Sequence, residues 1–174
     1  MKVTTITPDQ FIQGNYMTQT KVIGESVKQT DRNFVKAYTD DYAKAITENY
    51  RQHHIQSMES MLDRDPESIY PNQELNDVQT GKANLMYFKV KTGKKYYKIV
   101  QQEFETWEKS KYYGQYRDSS VHAFADKKTG QVYKPASWAA PAKHVRYDLR
   151  IIREREFLFN SNNTGWAGGY LYLR

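Results

Sequence analysis

Residues 119–147 read SSVHAFADKKTGQVYKPASWAAPAKHVRY, and the reading of this stretch decides the fold. Val121, Ala123 and Ala125 alternate with His122, Phe124 and Asp126, which is the two-residue period of a strand. Asp126-Lys127-Lys128-Thr129-Gly130 is a turn, with glycine where a positive φ is needed. Gln131-Val132-Tyr133-Lys134 returns as a second strand, and Pro135, which has no N–H to donate, stops further pairing. Ala136 to Pro141 is a compact loop or short helical turn. Lys143-His144-Val145-Arg146-Tyr147 begins another extended segment, expected to run on through Leu149, Ile151 and Ile152. In it Arg150, Arg153 and Arg155 interleave with Glu154 and Glu156.

The stretch before it belongs to the same sheet. In residues 85–100, LMYFKVKTGKKYYKIV, Tyr87, Lys89 and Lys91 share one parity and Phe88 and Val90 the other. Thr92-Gly93-Lys94 joins two such runs as a hairpin. Its outward face carries Lys89, Lys91, Lys94 or Lys95, and Lys98, mixed with Tyr96 or Tyr97. Residues 101–116 stay open: Phe104, Trp107 and Lys111 suit a short helix, whereas Tyr112, Tyr113 and Tyr116 suit a strand or loop. After Gly165 the tail ends in an alternating run, expected to be a final strand.

Upstream, the period changes. Phe34, Tyr38, Tyr42, Ile46 and Tyr50 recur every four residues, one aromatic stripe along a helix. Asp31 suits its cap, and Asp63-Arg64-Asp65-Pro66 closes it, because the residue before proline resists the helical region. A break near His53-His54 would divide it in two. Residues 63–81, acidic and aperiodic with two prolines, read as a connector. Residues 1–30 are polar, with a helix start near Thr7-Pro8-Asp9 and otherwise loop or arm. The expected fold is α+β, a long N-terminal helical region packed on a C-terminal antiparallel sheet of about five strands. Residues 1–80 form the acidic helical region, with a flexible arm and connector, and residues 81–174 the basic β domain.

Composition narrows the chemistry. A chain of 174 residues is long enough for one core. Aromatics make up 14% of it, dominated by 15 tyrosines, so packing must rely on rings that keep a hydroxyl wet. The absence of cysteine excludes disulfides, thiolate metal sites and cysteine nucleophiles. No apolar run approaches the roughly 18 residues that cross a bilayer, and MKVTTITPDQF lacks the apolar core of a signal peptide. A soluble, intracellular protein with no membrane partner is expected. The net charge of +6 is unevenly divided: residues 1–80 carry eight Lys/Arg against twelve Asp/Glu, and residues 81–174 eighteen against eight. That asymmetry points to an anionic partner for the second half.

The string HAFADKKTGQVYKPASWAAPAKHVRYDL, with KTGKKYYKI ahead of it, resembles a family of small, functionally uncharacterised proteins of tailed bacteriophages. The resemblance covers about residues 88–150. It implies a phage source, and so the host cytoplasm or the virion as the place of action. It supplies no catalytic residues.

Catalytic signatures are missing. Of His53, His54, His122 and His144, the adjacent pair would point about 100° apart on a helix, and none lies in an H-x-x-x-H pattern. His122 and Asp126 share a strand face but are too far apart to touch, so His122 reads as a half-buried strand residue bonded to backbone. Neither a P-loop nor G-x-G-x-x-G nor a G-x-S-x-G elbow occurs. Ser137, with Lys134 three residues earlier, is separated from it by Pro135 and reads as a turn.

What remains is a basic surface interleaved with aromatics. Lys94, Lys95, Lys98, Lys134, Lys143, His144 and Arg146 supply cations or hydrogen-bond donors, and Trp138, with Tyr96, Tyr133 and Tyr147, supplies flat faces. Cations attract phosphates, and exposed rings stack on unpaired bases at about 1–3 kcal/mol each. With no basic recognition helix, single-stranded nucleic acid or a nucleotide-like anion is the expected partner, and no cofactor. The competing reading is a protein-interaction module, either a virion component or an inhibitor of a host protein, since Tyr and Arg are favoured interface anchors.

Overall fold

The computed structural model describes the backbone of residues 16–172 and the side chains of residues 34–172. The chain divides into two units, Met1–Phe34 and Val35–Arg174. In the first, the described residues are helical from Tyr16. Helix α1, Tyr16–Leu62, therefore starts well before Asp31, which is not its cap. Gly24 lies inside this helix, at a local cost of about 1 kcal/mol relative to alanine. The expected start near Thr7 lies outside the described residues.

The second unit holds the core. Val35, Thr39, Tyr42 and Ile46 of α1 are all buried to within 1% of full exclusion from solvent. Their four-three-four spacing is the true stripe, and Tyr38 and Tyr50 flank it. Phe34 is 53% exposed, so the period of four drifts off the core by its first member. The helix passes His53-His54 without a break.

Helix α2, Ile69–Thr80, occupies the segment read as a connector. Its apolar content is too low to show a period. Pro71 falls in the first turn, where no N–H is required. Gly81 ends the helix at φ 73°, and the Lys82 N–H closes onto the Asp77 carbonyl at 2.8 Å. The His54 ring and the Glu74 carboxylate, 3.0 Å apart, join α2 to α1.

Five strands follow in a meander: β1 Tyr87–Thr92, β2 Tyr96–Phe104, β3 Tyr116–Asp126, β4 Gln131–Pro135 and β5 Pro141–Asp148, each antiparallel to the next. The α+β architecture with a five-stranded antiparallel sheet is as expected. Gly130 has φ 71°, and Asp126 Oδ1 accepts the N–H groups of Lys128 and Thr129 at 2.8 and 3.1 Å. The β2–β3 loop resolves the ambiguity of residues 105–115 into turns. There the Glu105 carboxylate accepts the Trp107 N–H at 3.1 Å and the Arg117 Nε–H at 2.9 Å.

Two expectations downstream of the sheet fail. The extended run stops at Asp148, whose Oδ1 accepts the Arg150 N–H, and helix α3, Ile152–Phe159, takes up the alternating Arg and Glu residues. The tail forms no strand. Gly168 turns at φ 76° into a short 3-10 helix, Gly169–Leu171. That turn sends Tyr170 and Leu171 into the core rather than along a sheet edge.

Alternation assigns the two sheet faces. Phe88, Tyr97, Ile99, Ala123, Ala125 and Val132 pack with α1, Leu158 and Leu171. Their strand neighbours Tyr96, Phe124 and Tyr133 join Val100 and Val121 in a second cluster, built among the described residues from β2, β3 and β4 alone. The register shifts between Ile99 and Val100, which pair with Ala123 and Val121, so His122 is the extra residue of a β-bulge. Among the described residues no helix is long and apolar enough to cross a membrane.

Candidate functional site

The face away from α1 is laid out by the alternation of β1 to β4. Phe124 lies fully buried in its middle. Tyr96 packs edge-on to both Phe124 and Tyr133, with centroids 5.8 and 6.1 Å apart. Lys98 reaches over this floor. Its ammonium lies 5.5 Å from the Phe124 centroid and 5.9 Å from that of Trp138, and donates to the Trp138 carbonyl at 2.9 Å. Trp138 is 47% exposed, on a loop fixed by backbone bonds from Ala136 and Ser137 to the Ala140 carbonyl. Lys95 lies 4.9 Å from the Tyr96 ring centroid and 3.7 Å from an Asp126 oxygen.

On the same face β1 contributes Lys89 and Lys91, since Phe88 between them and Tyr87 points to the core. Lys91 stands directly opposite Lys98 in the register, a like-charge pairing that costs stability unless it is compensated. Asp118 provides part of that compensation. It pairs with the Lys91 ammonium and accepts from Gln102 Nε2 at 2.6 Å; these two hydrogen bonds, Gln102 first, hold its carboxyl below the usual carboxylate value. At the far end Tyr87 meets Tyr116 at 4.9 Å, and Tyr116 meets Phe104 at 5.3 Å. The face therefore runs from one group of rings to another with lysines between.

Of the eight residues the sequence singles out, Lys95, Lys98 and Trp138 belong to this face. Lys134 and Arg146 are turned to the C-terminal segment instead. The Lys134 ammonium lies 3.9 Å from the Tyr172 centroid, and Arg146 donates to the Leu171 carbonyl and to that of His144, each at 2.6 Å. Lys94, Lys143 and His144 are exposed. The cluster Tyr87–Tyr116–Phe104 was missed, although Tyr87 shares the parity of Lys89 and Lys91.

The buried polar network lies on the other side. His122 is 8% exposed. Its Nε2 and the Tyr170 hydroxyl are 2.8 Å apart, and that hydroxyl also bonds the hydroxyl of Tyr42. Burial lowers the His122 pKa to about 4 against the opposing hydrogen bond with the Trp166 backbone, so the ring is neutral near pH 7. Burial likewise raises both phenols far above the ordinary tyrosine value. His122 is thus more deeply buried than expected, and its bond partners are a side chain as well as backbone. This network joins α1, β3 and the C-terminal segment. Among the described residues no three His, Asp or Glu side chains converge as a metal site requires.

The architecture is that of an α+β protein with one sheet face packed on a long helix and the other lined by rings and lysines. The chain belongs to DUF7717, a family of unknown function whose model matches residues 18–173. No curated protein and no solved structure is detectably similar to it.

Proposed function

We propose that this protein binds single-stranded nucleic acid, or a nucleotide-like anion, on the sheet face bearing Tyr96, Tyr133, Trp138, Lys95 and Lys98, with Lys89 and Lys91 extending it. The observation that carries the reading is Lys98, poised over the Phe124 and Trp138 rings on a face whose apolar cluster is built from strands alone. Rings at two ends with cations between suit a strand whose bases stack while its phosphates cross the lysines. A sheet with half-exposed rings reads unpaired bases rather than a duplex groove. The test is a labelled single strand titrated with protein from about 50 to 300 mM salt, where affinity falls steeply with salt if phosphates are bound. Absent or salt-insensitive binding overturns the reading.

A second reading, a protein-interaction module such as a virion component or an inhibitor of a host protein, is favoured by the β2–β3 loop. Trp107, Tyr112 and Tyr113 there are 63%, 42% and 53% exposed on a backbone that Glu105 holds. Rings of this kind anchor protein interfaces. A phage source, implied by the resemblance over residues 88–150, would place that partner in the host cell or the particle. Capture of a specific protein by the wild type and its loss in Trp107→Ala would favour this reading over strand binding.

A further inference from the structure

β3 and β4 are joined by only two residue pairs, Ala125 with Val132 and Phe124 with Tyr133. Beyond them the strands part, because Pro135 ends β4 and the bulge at His122 bends β3. The gap is a cavity of about 350 Å³, with Ser120, Val121, Lys134 and Pro135 on its strand walls and Leu171 and Tyr172 of the C-terminal segment opposite. Small-molecule pockets run from about 300 to 1,000 Å³, so this one has room for one nucleotide-sized group and not two.

The C-terminal wall is fixed in place. Arg146 donates to the Leu171 carbonyl, Tyr147 donates to the Tyr170 carbonyl at 3.1 Å, and the Tyr170 hydroxyl meets His122. His122 itself lines the cavity, but its ring is engaged by Tyr170 and by the Trp166 backbone. That leaves Lys134 as the charged group at the cavity. No carboxylate among the described residues lies within ion-pairing distance of its ammonium, which sits over the Tyr172 ring, a side chain 59% exposed. A cation over a half-open ring beside apolar walls suits an anion carrying an apolar, planar body.

We propose that this cavity takes a single nucleotide unit, its phosphate on the Lys134 ammonium, its sugar and base against Val121, Pro135 and Leu171. The proposal deepens the strand-binding reading by giving Lys134, which points away from the open face, a role at one nucleotide. The unit is either a free nucleoside monophosphate or the phosphorylated end of a strand.

The experiment is calorimetric titration of the full chain with nucleoside 5′-monophosphates, with nucleosides, and with single strands bearing a 5′-phosphate or a 5′-hydroxyl. Saturable binding of a monophosphate but not its nucleoside is expected, weakened about tenfold or more in Lys134→Gln and retained in Lys134→Arg. Ser120→Trp, which fills the mouth, abolishes it, while Lys109→Ala, in the β2–β3 loop, leaves it unchanged. Thermal melting of each variant separates lost binding from lost folding. A 5′-phosphate that tightens strand binding identifies the strand end as the source; monophosphate binding without that gain identifies the free nucleotide. Failure of every monophosphate to bind wild type, or full binding by a folded Lys134→Gln, overturns the proposal. If strands still bind then, the open-face reading stands without the cavity; if monophosphates bind and strands do not, the cavity stands without the face.

Discussion

His122 Nε2 lies 2.8 Å from the Tyr170 hydroxyl, so the bulged residue of β3 is joined directly to the segment that closes the core. In the unfolded chain this ring protonates near the ordinary value of 6.5, whereas in the folded chain it does so only near pH 4. Between those values the unfolded state binds more protons, and stability is lost as pH falls through the window. The difference corresponds to about 3 kcal/mol. Urea denaturation at pH 7 and at pH 4.5 should show this loss in wild type and a much smaller one in His122→Gln. Equal pH dependence in the two would mean that another group carries it.

Tyr170 stands in the middle of the chain from Tyr42 to His122. Tyr170→Phe removes the partner of two buried groups and is expected to cost about 1–3 kcal/mol, more than Tyr42→Phe, which strips one bond from the end. A double-mutant cycle measured by chemical denaturation should give a coupling of at least about 0.5 kcal/mol. Additive effects would show that the hydroxyls do not act as a unit.

Gly130 and Gly81 make a matched pair. Both have φ near 70°, but a Cβ on Gly130 would lie 3.0 Å from Arg150 Cγ and 3.2 Å from Asp148 Oδ1, while one on Gly81 meets nothing within 4 Å. Gly81→Ala should therefore cost about 1 kcal/mol from backbone strain alone. Gly130→Ala should cost measurably more in the same melt, and the reverse order would contradict the crowding at the β3–β4 turn.

On the proposed binding face, Lys91 is neutralised by Asp118, while among the described residues Lys98 meets no carboxylate and contacts a carbonyl and rings. Lys98→Ala should weaken strand binding and reduce the salt slope by about one phosphate contact. Lys91→Ala should do less. Asp118→Asn keeps an oxygen for Gln102 but frees the Lys91 charge, and fluorescence-anisotropy titrations should show tighter binding. Weaker binding in Asp118→Asn would argue against Lys91 lying on the path.

Much of this fold was legible because strand and hairpin signals are local. Thr92-Gly93-Lys94 and Asp126 to Gly130 mark turns whatever the rest of the chain does, and the parities of β1 to β4 follow from them. Helix α2 was not legible, since it is polar and short and its proline hides in the first turn. The tail was misread because Trp166, Tyr170 and Leu171 are apolar for contacts with α1 and β5, not for a strand face. The candidate site was only partly visible for a similar reason. Lys134 and Arg146 look like surface cations in the sequence, and only the fold turns them to the C-terminal segment. The charge boundary near residue 80 is real as composition, yet one core draws on residues from Val35 to Leu171.

That last span bears on how the molecule reaches its native state. The bond between Tyr42 and Tyr170 closes a loop of 128 residues, and the cluster around it includes Leu158 and Leu171. The hairpins can form early from neighbours in sequence, but the core stays open until the segment after Gly168 arrives. Closing so distant a contact is slow compared with pairing a hairpin. A nascent chain halted short of residue 170 would thus hold a paired sheet with Tyr42 and His122 uncovered, exposed to aggregation and to proteases until the last turn docks.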